Sequence, residues 1–190
     1  MNILVDQLPE AIRIKGKDCQ INSDFRTGIE IMVAFEDQEL TPNEKSLIMV
    51  DRLYVEPPPD LDEAILKAVR FLDGNPDEPP EPSDHPGMRL YSFTKDARLI
   101  YAAFKQTHGI DLQKEDLHWW QFLALFMDLG ADTAFSNLIN LRRRVKTGSA
   151  SKEERQAARD MGSMFEIPDE DTRTLEEKIA ADKFMRLLKG

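Results

Sequence analysis

The chain has 190 residues, of which 41% are hydrophobic and 32% charged; this excludes a disordered chain and fits one globular domain with or without appendages. Its net charge of −10 would repel a phosphate backbone, so we expect no nucleic acid as a partner. No apolar run approaches the ~20 residues that cross a bilayer, and residues 1–14 lack a secretory pattern, so we expect no membrane association. A single cysteine, Cys19, excludes an intrachain disulfide and fits a cytoplasmic location.

The first predicted element is a hairpin. Residues 11–22 alternate weakly around Lys15-Gly16-Lys17, and a glycine turn between two short β-prone runs is typical of two antiparallel strands. Two strands alone are marginally stable in water, so the hairpin must pack against other elements.

Three helices are then predicted before residue 73. The first follows a cap at Ser23 or Asp24, and the second begins at the capping sequence of residues 41–44, Thr-Pro-Asn-Glu. The third follows Asp60, and its predicted apolar face comprises Ile65, Val69 and Leu72.

An acidic, proline-rich stretch follows. Residues 73–89 hold five prolines and five acidic residues with one apolar side chain, too little to offset the entropy of ordering. We therefore predict three parts: residues 1–72 with the hairpin and helices, a linker at 73–90, and a helical bundle at 91–190.

The helices of the second half are predicted from apolar stripes at helical spacing and from helix-capping residues. The apolar stripe of the first comprises Phe93, Ala97, Ile100, Tyr101 and Phe104, and Gly109 ends it. Asp111 or Asp116 is predicted to cap the next helix, and Gly130 to close it. Asp132 is predicted to cap a helix from Thr133 to about Val145, and Ser151 a polar helix.

A last helix is predicted from Thr174, with apolar residues at Leu175, Ile179, Phe184, Leu187 and Leu188. An amphipathic helix of this kind either docks on its own domain or binds a partner, and Ile179, Phe184, Leu187 and Leu188 are the predicted partner-binding residues. The fold class that follows is mainly α: a helical bundle of about six to seven helices with a small N-terminal β-hairpin.

The stretch of residues 117–130, LHWWQFLALFMDLG, raises the question of a site at His118-Trp119-Trp120. Trp120, Leu123, Phe126 and Met127 share one helix face, and a helix that is apolar around most of its circumference is buried. We interpret the stretch as the core helix of the second half. A catalytic histidine would need a nucleophile or a carboxylate held beside it, and no such set is visible.

The sequence contains no other pattern that indicates catalytic or ligand chemistry. The three histidines, His85, His108 and His118, have no metal-site spacing, and the glycines form no phosphate loop. We expect no enzyme activity, no catalytic residue, no metal and no cofactor. Residues 142–146, RRRVK, are interpreted as a solvated helix end that complements the helix dipole; contact with an acidic partner is the alternative.

Several motifs resemble the bacteriophage gp-fifteen family of tailed phages and prophages of Gram-positive bacteria. They are Phe93-Thr94-Lys95-Asp96-Ala97, Ile100-Tyr101-Ala102-Ala103-Phe104, Gly109-Ile110-Asp111-Leu112 and Leu117-His118-Trp119-Trp120. The family-motif residues are Phe93, Asp96, Ala97, Ile100, Tyr101, Phe104, Gly109, Ile110, Leu112, Leu117, His118, Trp119 and Trp120. The likeness spans most of the chain and fades after about residue 165.

The resemblance implies a role in phage tail morphogenesis as a non-catalytic tail assembly chaperone. Its partner would be the tape-measure protein or another tail protein, with a homo-oligomer as a further candidate. The chain would act in the host bacterial cytoplasm and be absent from the mature virion. The alternatives are a structural tail or connector subunit of the virion and, ranked below it, an acidic DNA mimic.

Overall fold

A computed structural model describes residues 2–74 and 88–167 of the chain. The predicted hairpin is confirmed: β1 (Ala11–Ile14) pairs antiparallel with β2 (Lys17–Gln20), with Ile12 opposite Cys19. Lys15 and Gly16, between the strands, both have positive φ, the backbone that a two-residue hairpin turn requires. Ile14 is fully buried, so the hairpin lies on the helices as expected.

The described residues form seven α-helices, which confirms the mainly α fold class. They are α1 (Phe25–Glu36), α2 (Pro42–Leu53), α3 (Leu61–Leu72), α4 (Ala97–His108), α5 (Trp119–Met127), α6 (Ala134–Lys146) and α7 (Lys152–Met161), followed by a 3-10 turn at Gly162–Met164.

Side-chain caps set most of the helix starts. The capping boxes predicted at Thr41 and Ser151 are both present, with Glu44 and Glu154 as the reciprocal partners. Asp24, rather than Ser23, caps α1, and its carboxylate accepts from the Arg26 N–H at 2.8 Å. Asp60 caps α3 in the same way through the Glu63 N–H.

Phe122 of α5 lies at the centre of the hydrophobic core and is fully buried. Its ring stacks on Phe25 of α1 at 5.2 Å, on Phe104 of α4 at 5.0 Å and on Trp119 at 5.6 Å, measured between ring centroids. The core cluster therefore includes residues from both predicted halves of the chain. The three-part division stays a prediction, and linker residues 75–87 lie outside the described part.

Several local predictions in the helices are wrong. Val69 is 37% exposed, and the buried face of α3 is formed by Ala64, Ala68, Phe71 and Leu72. Met127 is 83% exposed because it is the last residue of α5, which ends before Asp128 rather than at Gly130. Thr133, not Asp132, caps α6.

Candidate functional site

The two tryptophans of the Leu117–Trp120 motif are buried, with 2% of Trp119 and 5% of Trp120 exposed. The Trp119 Nε1–H donates to the carbonyl oxygen of Leu72 at 2.9 Å, and the Trp120 Nε1–H to that of Phe71 at 2.7 Å. These carbonyls lie in the last turn of α3, and the Phe71 carbonyl also accepts the Gly74 N–H at 3.1 Å. The indoles thus join α5 to the end of α3, a structural role that needs no ligand.

His118 is the N-cap of α5, in place of the predicted Asp111 or Asp116. Its Nδ1 accepts the Trp120 N–H at 3.0 Å, and Gln121 Oε1 accepts the His118 N–H at 3.0 Å, which completes a capping box. Since Nδ1 accepts, Nε2 carries the proton and donates to the Pro9 carbonyl at 3.1 Å. Burial lowers the pKa of His118, opposed by the Pro9 carbonyl and the charge of Glu10. A neutral histidine engaged on both nitrogens is a cap, and sequence reasoning missed it because histidine is not a usual N-cap residue.

The other family-motif residues take different positions. The buried ones are Phe93, Asp96, Ile100, Phe104 and Leu112. Ile110 and Leu117 are half-buried, whereas Ala97, Tyr101 and Gly109 are exposed. Gly109 has a φ of +71° and closes α4, and the Tyr101 hydroxyl donates to Asp111 at 2.8 Å. The motifs therefore include surface positions as well as core ones.

Asp96 pairs with Arg142 of α6, and the side chains of both are buried, at 1% and 0% exposure. Arg142 Nη1 donates to Asp96 Oδ2 at 2.6 Å and Nη2 to Oδ1 at 3.0 Å, a bidentate pair. The remaining guanidinium N–H groups donate to the carbonyls of Leu90, Met164 and Phe165. All five donors of the guanidinium are thereby satisfied. Arg142 therefore joins the segment before α4 to the segment after α7.

For Arg142, the interpretation of the basic cluster as solvated is wrong. It follows Phe135 and Leu138 at helical spacing, and those two are the buried apolar residues of α6. That spacing was the available signal, but a basic cluster in a last turn is usually solvated, and the partner Asp96 is 46 residues away. Arg143 is exposed, as predicted for a helix end.

An apolar groove of about 610 Å³ opens between α1, the segment at 88–93, the end of α5 and α6. Its residues are Met32, Phe35 and Glu36; Met88, Arg89, Leu90, Tyr91 and Phe93; Phe126, Met127, Leu129 and Ala131; and Phe135, Ser136, Ile139, Asn140 and Arg143. We call this the α1–α6 groove. It is the candidate functional site, and the sequence did not reveal it because four separate segments form it.

Four aromatic rings pack together in this groove. Tyr91 lies 5.4 Å from Phe93, 5.2 Å from Phe126 and 6.2 Å from Phe135, between ring centroids. Burial raises the pKa of Tyr91, with a smaller contribution from the negative charge of Glu36. The cluster gives the groove a rigid aromatic base, while the methionines Met32, Met88 and Met127 add adaptable side chains around it.

Glu36, the last residue of α1, holds one wall of the groove. Its carboxylate accepts the Ser92 hydroxyl at 2.6 Å and the Phe93 N–H at 2.7 Å, and it pairs with Arg89 at 3.1 Å. These bonds fix the 88–93 segment against α1, so the groove is preformed.

The predicted partner-binding residues Ile179, Phe184, Leu187 and Leu188 lie outside the described residues, as does His85. Within residues 2–74 and 88–167, no three histidine, cysteine or acidic side chains are grouped to hold a metal ion. No helix in that same part of the chain is long and apolar enough to cross a membrane.

The described residues form a mainly helical protein whose candidate functional site is an apolar surface groove. The model of a family described as Bacteriophage Gp15 protein matches residues 4–167. The chain belongs to this family, as the motif resemblance predicted, and is a phage structural or morphogenesis protein whose expected partners are other phage proteins. No curated protein and no solved structure matches the chain.

Proposed function

We propose that this protein is a non-catalytic tail assembly chaperone that binds a helix of the tape-measure protein in the α1–α6 groove. The observation that carries this proposal is the groove itself, a preformed apolar groove on a member of the Bacteriophage Gp15 protein family. A long helical client exposes apolar stripes and aggregates alone, and an amphipathic helix lying in a groove is a recurring mode of recognition.

The chemistry of the groove fits such a client. Phe126 and Tyr91 provide flat apolar surface in the groove. Met127, which is 83% exposed at its edge, has a flexible side chain. Methionine-rich surfaces accept different apolar side chains in succession, which suits a chaperone that binds many similar turns of one client. The net charge of −10 keeps the complex in solution.

The environments of the two described histidines support a role without catalysis. His108 Nε2 contacts the Leu125 carbonyl oxygen at 2.9 Å, and His118 is engaged by Pro9 and Trp120. Each ring therefore serves the packing of α5. We propose further that the protein acts during assembly in the host and is absent from the mature virion.

The test is co-expression with the tape-measure protein of the same phage, followed by a pull-down. We expect the client to remain soluble only with this protein, and Met127→Asp to lower client capture about tenfold, because an unpaired carboxylate is then buried in an apolar contact. Met164→Asp is the matched control, since Met164 is 60% exposed and does not line the groove. Equal capture by both variants would remove the groove from the proposal.

A structural tail or connector subunit is the second candidate. The observation that favours it is on α3, where Leu66 and Val69, three residues apart, are 53% and 37% exposed and available to a second copy. Mass spectrometry of purified virions separates the two functions. A chaperone is absent from the particle, and a structural subunit is present in a fixed ratio to other tail proteins.

A further inference from the structure

We propose that the helix bound in the α1–α6 groove carries an acidic residue beside its apolar face, and that Arg143 of α6 binds this carboxylate at the edge of the groove. This inference rests on the proposed function. It adds the chemistry of the client and names a residue that determines specificity.

The charge of the groove is opposite in sign to that of the chain as a whole. Its charged lining residues are one acidic residue, Glu36, and two basic residues, Arg89 and Arg143, whereas the whole chain has a net charge of −10. Glu36 and Arg89 pair with each other at 3.1 Å, and both side chains are largely buried. Arg143 is therefore the charge that the groove presents to a partner.

Arg143 differs from the arginines on either side of it. Arg142 is buried with Asp96, and Arg144 pairs with Glu154 at 2.7 Å. Arg143 is exposed and pairs with no carboxylate in the described part of the chain. Its guanidinium keeps its donors for an incoming carboxylate, which it can bind through two parallel hydrogen bonds.

The face of α6 that lines the groove changes from apolar to polar across its width. Phe135 and Ile139 lie on the apolar side, and Ser136, Asn140 and Arg143 follow one another beside them at spacings of four and three. These polar positions extend over two helical turns, or about 10 Å. A helix that lies with its apolar face on the aromatic base therefore meets polar side chains of α6 along one flank.

A client that fits both parts has apolar residues three and four apart, with Asp or Glu in the neighbouring row. Its apolar face contacts Tyr91 and Phe126, and its carboxylate reaches Arg143. At the edge of an apolar groove the ion pair is partly removed from water, which strengthens it. A lysine at the same client position would face Arg143 as a like charge, so repulsion contributes to the specificity as well as attraction.

The test compares two synthetic amphipathic peptides with the same leucine stripe. One has glutamates in the rows that flank the stripe, and the other has lysines there. Fluorescence anisotropy of the labelled peptides measures their affinity for the full chain, and we expect the glutamate peptide to bind about three- to fivefold tighter. The net charge of −10 alone would favour the lysine peptide, so general electrostatic attraction predicts the opposite order.

Substitutions assign the preference to one residue. Arg143→Glu should reverse the order of the two peptides, and Arg143→Lys should keep it because the charge remains. The matched control is Arg159→Glu, since Arg159 is also an exposed arginine in the last turn of its helix, α7, but does not line the groove. In the pull-down with the tape-measure protein, Arg143→Glu should likewise lower capture and Arg159→Glu should leave it unchanged.

Equal affinities of the two peptides for the native protein would overturn the proposal. A preference that Arg159→Glu reverses as fully as Arg143→Glu would overturn it too, because the effect would then come from net charge. Met127→Asp separates this failure from that of the proposed function: if it weakens both peptides while no charge preference exists, the groove binds helices and only the role of Arg143 fails. If neither the peptides nor the tape-measure protein bind, the proposed function fails and the role of Arg143 fails with it.

Discussion

The backbone of Gly28 in α1 packs directly on the indole of Trp119. A β-carbon added at Gly28 would stand 2.6 Å from Trp119 Cζ3 and closer still to Cε3. Glycine is therefore required here by the close approach of two helices, and α1 and α5 meet at this point.

The first prediction is that Gly28→Ala destabilises the protein by about 1–3 kcal/mol, because the methyl group forces the buried indole to move. Chemical denaturation measures the effect, and Glu30→Ala on the exposed side of α1 should change stability by no more than about 0.5 kcal/mol. At a helix position with free space around it, Gly→Ala would instead raise the free energy of unfolding by roughly 0.5–1 kcal/mol. A more stable variant would therefore contradict the contact between Gly28 and Trp119.

The second prediction concerns the buried ion pair. Arg142→Ala should destabilise by about 3–5 kcal/mol, because Asp96 is left charged and unpaired in the core. Arg143→Ala, one residue along the same helix but exposed, should cost at most about 0.5 kcal/mol. Similar unfolding midpoints for the two variants would mean that Arg142 is not held as described.

The third prediction is that Trp120→Ala destabilises by roughly 3–5 kcal/mol through lost burial and a residual cavity. The indole N–H is a separate contribution: Trp120→Phe keeps an aromatic ring but removes one of the two hydrogen bonds to the Phe71 carbonyl, which retains the Gly74 N–H, at a cost of about 0.5–1.5 kcal/mol. Met127→Ala on the same helix is the control, since Met127 is mostly exposed. A cost below about 1 kcal/mol for Trp120→Ala would argue against the core position.

The fourth prediction is a pH dependence set by His118. Burial lowers its pKa in the folded protein below the ordinary value of 6.5, so the unfolded chain binds the proton more readily. The stability from the neutral ring is complete above pH 6.5 and is lost as the pH falls through the folded pKa, with a slope of up to about 1.4 kcal/mol per pH unit. Protonation removes the Nδ1 acceptor that caps α5.

His118→Asn provides the comparison for this pH effect. Asparagine is a good N-cap and does not titrate, so the variant should lose stability less steeply than the native protein below pH 6.5. Denaturation curves collected from pH 7.5 to 5 give the two slopes. Parallel slopes would show that another group is responsible.

Local signals in the sequence predicted the elements, and long-range pairing accounts for what was missed. The hairpin turn at Lys15-Gly16 and the capping boxes at Thr41 and Ser151 depend on residues within four positions of each other, and all were found. The burial of Arg142 depends on an aspartate 46 residues away. The hydrophobic periodicity of a single segment cannot predict a partner that is so distant in the sequence.

The candidate site was hidden for the same reason. Phe126 was interpreted as a core residue of its own helix, and it is half-buried beside the groove. Whether an apolar side chain ends in the core or at the edge of a channel depends on the spacing between helices, which the sequence of either helix does not contain.

The bonds from the two tryptophans to the end of α3 have a consequence for synthesis. In chain order, the carbonyls of Phe71 and Leu72 precede their indole donors by 49 and 47 residues. While the chain leaves the ribosome, the end of α3 therefore lacks both indole donors, and Phe25 lacks its stacking partner Phe122 until α5 emerges. We expect the first 72 residues to gain lasting structure late and in one step, with the helices on both sides of α5 consolidating together.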